Sequence, residues 1–393
     1  MIDGYPTAMI VSVKGAKTRD IKEPDTEPII RGPHEGFVET LRVNTSLLRR
    51  IIKNPNLTFE SLKLGKQTNT EINVAYINGI ADGKIVEEVK RRLNRIDIDA
   101  ILESGYVEQL IEDNPLSPFS TIGNSERPDK VAAKLLEGRV AILCEGTPFV
   151  LTVPYLFVES LQITEDYYSR PYLSSFIRLI RFLAFLLTLL LPALYVALET
   201  FDPEMIPTVL LVTAAASREG IPFPSLVETL IMLIIFELLR ESGVRLPRQV
   251  GQAVSIVGAL VIGDAAVRAG IISAPMVIIG ALTGITSFIV TPLLDGIILF
   301  RLFLLFSGAA FGLYGITVGL FIMLSHMCSL RSFGVPYLSP VAPTVWKDLK
   351  DSLIRAPLRL MKSRPASIEP ENLTRANFST PPNKSGNQRN EKH

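Results

Sequence analysis

Hydrophobic and polar residues alternate in short runs over the first 160 positions, and then the pattern changes. From Phe182 to Leu198 the chain carries no charged side chain, and Leu302–Leu324 runs 23 residues without Asp, Glu, Lys, Arg or His. Hydrocarbon about 30 Å thick is crossed by about 20 apolar residues, so such runs predict membrane spans. Four are expected, at 176–199, 250–268, 271–292 and 297–325. A fifth apolar piece, Leu226–Leu239, has 14 residues and contains Glu228 and Glu237. It reaches only about 21 Å as a helix, and two carboxylates are costly in hydrocarbon. The expectation for it is an interfacial or re-entrant helix. Arg178 and Arg181, just ahead of the first uncharged run, are expected to snorkel to the headgroups.

The soluble region reads as an α/β domain. Thr7–Val13 and Ile72–Ile77 have the run length of strands, and Val140–Leu143 with Phe149–Val153 form a hairpin around Glu145-Gly146-Thr147-Pro148. Val86, Val89 and Leu93 repeat at helical spacing. Another helix starts at Pro128, carries Val131, Leu135 and Leu136, and stops at Gly138. The fold class is thus an α/β cytoplasmic N-terminal domain followed by an α-helical polytopic membrane domain with four spans plus one interfacial or re-entrant helix. The domain division is 1–160 (cytoplasmic α/β), 161–330 (transmembrane), 331–362 (basic juxtamembrane) and 363–393. That last stretch is polar, Pro-rich and aperiodic, and reads as a disordered tail.

Charge fixes the expected orientation. Residues 1–160 carry 20 Lys/Arg against 23 Asp/Glu, whereas Pro171–Ser329 contains eight Lys/Arg in all. The segment from Arg331 onward is basic, with 11 Lys/Arg against 5 Asp/Glu, and basic flanks favour the cytoplasm. The opening MIDGYPTAMIVSV lacks the charged and apolar regions of a cleavable signal, so the first domain is expected to stay in the cytoplasm. Two cytoplasmic ends require an even number of spans. A net charge of +1 gives no reason to expect nucleic acid.

Chemistry-bearing motifs are absent from the sequence. Cys144 and Cys328 form no metal-type pair and read as apolar packing residues. His34, His326 and His393 are scattered, and neither a Walker loop, a GxSxG elbow nor a dinucleotide fingerprint occurs. The expectation is a protein that is not an enzyme, with no cofactor and no metal.

The membrane block is more specific. Gly280/Gly284, Gly308/Gly312 and Gly315/Gly319 recur at the spacing that lets helix backbones approach, either within one subunit or between subunits. Gly251–Val267 (GQAVSIVGALVIGDAAV) is built mostly of small and β-branched residues. Gln252, Ser255, Ala259, Ile262 and Ala266 form one stripe of this helix, with Val261 on the adjacent one. Polar ends and an apolar middle suit the wall of a narrow pore. The alternative is a packed interior helix whose Asp264 caps or pairs with Arg268.

Several long strings carry a resemblance: EPIIRGPHEGFVETLRVN (Glu27–Asn44), ERPDKVAAKLLEGRVAIL (Glu126–Leu143), DYYSRPYLSSFIRLIRF (Asp166–Phe182), RLPRQVGQAVSIVGALVIGDAAV (Arg245–Val267) and LRSFGVPYLSPVAP (Leu330–Pro343). In these the chain resembles the A subunit of the GerA family of spore germinant receptors. Members ordinarily carry a first cytoplasmic subdomain ahead of the region that begins here, so this chain is expected to be N-terminally shortened relative to the family. Asp264 departs from the uncharged polar residue expected at its position.

The resemblance implies a role in nutrient-triggered germination of endospores and a place in the spore inner membrane. It also implies two partners, a transporter-like B subunit that binds the nutrient and a C subunit that is a lipoprotein. A subunits of the family are understood to self-associate into a nutrient-gated ion channel. Two other classes stand beside that expectation: a non-conducting scaffold subunit, and a secondary transporter, which the lack of an evident internal repeat weakens.

Overall fold

The computed structural model describes residues 20–24, 26–245 and 263–376. Its α/β part is a five-stranded sheet in the order β1-β2-β4-β5-β3. The strands are β1 (Leu57–Leu64), β2 (Thr70–Ile77), β3 (Gly123–Ser125), β4 (Val140–Cys144) and β5 (Val150–Val153), and every pairing is antiparallel. Strands alternate their side chains between two faces, and here both faces are covered. Ala141 and Leu143 of β4 pack with Leu48, Val131 and Leu135 of α1 (Leu41–Ile51) and α4 (Pro128–Glu137). Their neighbours Val140, Ile142 and Cys144 pack with Val86, Val89, Leu93, Val107 and Ile111 of α2 (Gly83–Asn94) and α3 (Ser104–Ile111). This explains why β4 is apolar at every position rather than at alternate ones. Pro128 opens α4, and Gly138 closes it at φ 103°, a backbone state that glycine adopts without strain. The expected strand at Thr7–Val13 lies outside the described residues.

The helical block contains α6 (Pro171–Thr200), α7 (Thr208–Arg218), α8 (Ser225–Arg245), α9 (263–268), α10 (Ala274–Ile289) and α11 (Leu294–Ser329), after a short α5 (Glu165–Tyr168). Two helices among the described residues, Pro171–Thr200 and Thr291–Ser329, are long and apolar enough to cross a membrane. That is fewer than the four spans expected. The expected span at 250–268 falls largely outside the described residues, and the one at 271–292 corresponds to α10, whose 16 residues reach about 24 Å.

The last expected span, 297–325, differs in kind. Gly312 sits at φ 62°, ψ −146°, outside helical geometry, and the chain reverses there. The rings of Phe300 and His326 are 6.2 Å apart, where an unbroken helix would separate them by about 39 Å. Gly319 packs on Leu304, and Gly315 on the Ser307 carbonyl. So α11 is a hairpin of two antiparallel arms whose tip rests against Phe201, just past the end of α6. Each arm reaches about 26 Å.

The Leu226–Leu239 piece also departs from expectation. It belongs to the 21-residue α8, which packs against α6 and α10 inside the block. Glu228 is fully buried. The neighbours fix the direction of the helices. Glu228 meets Ser273, Met232 meets Gly280 and Phe236 meets Gly284, so α8 and α10 run parallel. Thr188 meets Thr286 and Tyr195 meets Ser273, so α6 runs antiparallel to both.

Beyond α11 the chain returns to the α/β domain. Strands β6 (Arg331–Ser332) and β7 (Val335–Pro336) form a clip. Ser332 Oγ donates to the Thr121 carbonyl, and Tyr155 N donates to Ser332 Oγ at 2.9 Å. Residues 363–376 were expected within a disordered tail, yet they pack on the domain: Ile368 is fully buried in the α2/α3 core, and Arg364 Nε donates to the Leu136 carbonyl at 2.8 Å. A single buried apolar residue in a polar stretch leaves no periodic trace in sequence.

Candidate functional site

Of the residues expected to line a pore, Gln252, Ser255, Ala259, Val261 and Ile262 lie outside the described residues. Ala266 is half-buried against Met232, Ile272 and Met276. Asp264 and Arg268 form an exposed ion pair one turn apart, with Arg268 Nη2 2.9 Å from Asp264 Oδ2. Such an exposed pair is worth less than about 1 kcal/mol. It leaves charge on the outer surface of the subunit beside α10.

The six glycines all meet partners within the chain. Gly280 and Gly284 let Met232 and Phe236 of α8 approach α10, Gly308 meets the Ala193 carbonyl of α6 and Ile316 of the second arm, Gly315 and Gly319 lie between the hairpin arms, and Gly312 forms its turn. A Cβ on Gly315 would stand 2.1 Å from the Ser307 carbonyl oxygen, so the arms close there on backbone alone.

The structure adds ionic clusters that spacing did not reveal. At the end of the block remote from the α/β domain, Glu228 accepts from the backbone N–H and hydroxyl of Ser273, capping α10. Arg218 of α7 pairs with Glu199 of α6 and stands 3.7 Å from Glu228. Nearer the α/β domain, Glu237 of α8 holds both Arg240 and Arg301, each at 2.8 Å. The signal for both clusters was the presence of two acids in an apolar run, which are retained in such surroundings only when paired.

At the junction of domain and block, Arg181 binds Asp166 through two parallel contacts of 2.8 Å. Arg178 reaches Asp166 at 3.3 Å and Asp351 at 3.0 Å. Both arginines are buried, at 1% and 7% exposure, so they do not snorkel to headgroups. They tie the base of α6 to α5 and to the segment around Asp351. Asp129 accepts from Tyr168 Oη at 2.6 Å and from Arg127 at 2.8 Å; burial and this carboxylate push the Tyr168 phenol above its usual range. Glu159 lies between Arg139 and Lys134. At the clip, Phe333 N donates to Asp113 Oδ2 at 2.6 Å, and the Arg92 guanidinium lies 4.3 Å from the Phe333 ring centre. The buried Cys144 thiol is pushed up to about 12 by burial, consistent with a packing role.

Among the described residues, no group of three or more His, Cys, Asp or Glu side chains is placed to hold a metal. The arrangement instead ties an α/β domain to the base of a helical block through buried ion pairs and the clip.

Comparison with known proteins places these features in a family. The family described as Bacillus/Clostridium GerA spore germination protein matches residues 1–367. Spore germination protein KA of Bacillus subtilis (strain 168) is 54% identical over 95% of this chain and 69% of its own length. GerLA of Bacillus cereus is 42% identical over 95% of this chain and 76% of its own length. Among solved structures, the N-terminal domain of the A subunit of the Bacillus megaterium spore germinant receptor GerK3 shares 56% identity. It covers 31% of this chain and 97% of that one, with a TM-score of 0.26.

Proposed function

Because this chain belongs to the GerA family of spore germination proteins, we propose that it is the membrane subunit of a nutrient germinant receptor and triggers endospore germination by forming, with further copies, a nutrient-gated ion channel. It sits in the spore inner membrane with both ends in the cytoplasm. A transporter-like B subunit binds the nutrient, and a C subunit that is a lipoprotein completes the receptor.

One observation carries the reading: the helical block is built inside out. Glu228, Glu237 and Arg301 pair inward, while Ile278, Ile285, Phe288, Phe311 and Phe321 are exposed on its surface. That distribution suits lipid and like subunits rather than water. The topology supports it. Chain segments before α6 and after α11 both pack on the α/β domain, which supports a reading in which both leave the block on the same side.

Asp264 and Arg268 lie on the outside of the subunit, where a ring of copies would turn them toward a neighbour or a pore. The test is nutrient-dependent ion flux in vesicles carrying the full receptor with its B and C subunits. Val261→Ala and Ile262→Ser should leak without nutrient. Absence of nutrient-dependent flux with all partners present overturns the channel reading.

The scaffold reading is favoured by one specific observation: among the described residues, the pairs Gly280/Gly284, Gly308/Gly312 and Gly315/Gly319 all meet partners within the subunit. It predicts that the same two substitutions lower receptor abundance and change no flux.

A further inference from the structure

The Glu237–Arg240–Arg301 cluster is unbalanced. Two guanidinium groups share one carboxylate, at 2.8 Å each, leaving a net positive charge between α8, α10 and the first arm of α11. The Arg301 side chain is 4% exposed, and its Nε–H is buried without a hydrogen-bond partner among the described residues. Beside it lies a cavity of about 20 Å³ lined also by Phe236, Thr283 and Ser287. Neither hydroxyl accepts from the Arg301 Nε–H; Thr283 Oγ1 and Ser287 Oγ instead turn to the Ile279 and Gly284 carbonyls, to which they donate. A buried donor left unpaired is costly, and the cavity that Arg301 helps to line has space for about one water-sized group.

We infer that this cavity takes a phosphate oxygen from an anionic lipid headgroup in the leaflet on the α/β-domain side. Gly296 rests on Phe119 of the α/β domain, and Arg301 is five residues further along the arm, about 7 Å beyond that contact. That depth is within headgroup reach for a long side chain. The cavity admits one oxygen and not a whole phosphate ion, which leaves the remainder of the headgroup at the surface beside Arg240, 24% exposed. Exposed Ile285 and Phe288 on the neighbouring turns of α10 provide an apolar path for the acyl chains. Guanidinium N–H groups suit phosphate oxygens, and basic pockets between membrane helices are a recurrent form of headgroup site.

The inference rests on the membrane reading above, and the two are tested separately. Release of the chain from membranes by alkaline carbonate would remove the membrane reading. The site itself is read by native mass spectrometry of the full chain in neutral detergent, titrated with phosphatidylglycerol, phosphatidylcholine or inorganic phosphate. Phosphatidylglycerol should bind at least tenfold more tightly than phosphatidylcholine. Arg240→Gln should weaken it about tenfold, the effect of one lost charge-assisted hydrogen bond, and Glu237→Gln should tighten it by removing the competing carboxylate. Arg240 is partly exposed, so its replacement leaves folding intact where Arg301→Gln would not. Equal binding of the two lipids, or phosphatidylglycerol affinity unchanged in both variants, overturns the proposal. Displacement of phosphatidylglycerol by millimolar inorganic phosphate does so as well, because it assigns the cavity to the free ion.

Discussion

The reversal at Gly312 makes a prediction whose two outcomes are far apart. Leu299 and Leu324 lie on opposite arms of α11, are 58% and 47% exposed, and are 25 residues apart in sequence. In a continuous helix they would stand about 37 Å apart, whereas neighbouring helices pack at about 8–10 Å between axes. Spin labels at these two positions, with exposed Cys328 replaced by serine, should report a separation under about 20 Å, after allowance for label length on a packed pair. The matching perturbation is Gly315→Ala. Inside an ordinary helix this change stabilises by about 1 kcal/mol. Here the new Cβ meets the Ser307 carbonyl oxygen at 2.1 Å. Backbone cannot rotate away as a side chain can, so a destabilisation of about 1–3 kcal/mol is expected. The free energy is measured by unfolding in mixed micelles titrated with denaturing detergent. A label distance near 37 Å, or a stabilised Gly315→Ala protein, would refute the hairpin.

Asp166→Asn keeps the shape of the side chain but leaves the buried Arg181 without its carboxylate; removing one partner of such a pair costs about 3–5 kcal/mol. A loss under about 1 kcal/mol in the same micelle titration would place the cluster with exposed ion pairs, and a cycle with Arg181→Met isolates the coupling. The acid limb of stability offers a further check at Glu159, where burial opposes the charge but Arg139 and Lys134 prevail and hold the carboxyl below its ordinary value of 4.5. A depressed folded pKa contributes stability that is fully present above the unfolded value and is lost as pH falls through the folded one. Glu159→Gln should therefore flatten the stability–pH curve below about pH 4.5; a curve with unchanged slope would refute the assignment.

How much of this was legible depended on whether a structure leaves a local pattern. Strands β4 and β5 and helix α4 were readable, because apolar run length, Pro128 and Gly138 are local signals. Strand β1, LTFESLKL, interleaves Glu60 and Lys63 with its apolar residues and pairs on one side only, so its run is too broken to stand out. The hairpin was hidden because both arms are equally apolar, and hydropathy does not register a change of direction. One clue existed: the span expected at 297–325 has 29 residues, about 43 Å as a straight rod, more than the hydrocarbon thickness. The charged clusters were half legible. Glu228 and Glu237 announced a problem in the sequence, but Ser273 and Arg301, which answer it, lie 45 and 64 positions away. Arg178 and Arg181 show the opposite failure, since a position at the edge of an apolar run suggested lipid headgroups while Asp166 and Asp351 claim both.

These ties restrict how a nutrient signal could move the subunit under the proposed function. The α/β domain holds α6 through the Asp166 cluster and holds α11 at both ends, through Phe119 beneath Gly296 and through the clip at Phe333. Helix α8 is joined to that unit at one end by Arg218, which pairs with Glu199 and stands 3.7 Å from Glu228, and at the other by Glu237 with Arg301, while Glu228 in turn caps α10 at Ser273. Shifting a population from 1% to 99% open takes about 5.5 kcal/mol of differential binding, and separating a single buried pair would consume about 3–5 kcal/mol of it. A transition that broke two of these clusters in every subunit would exceed what one bound nutrient supplies. If copies assemble as proposed, the rearrangement that fits the energetics leaves each subunit's clusters closed and turns whole subunits against one another. The contacts that change are then those of exposed surfaces such as Asp264 and Arg268, where pairing is weak and exchange of partners costs little.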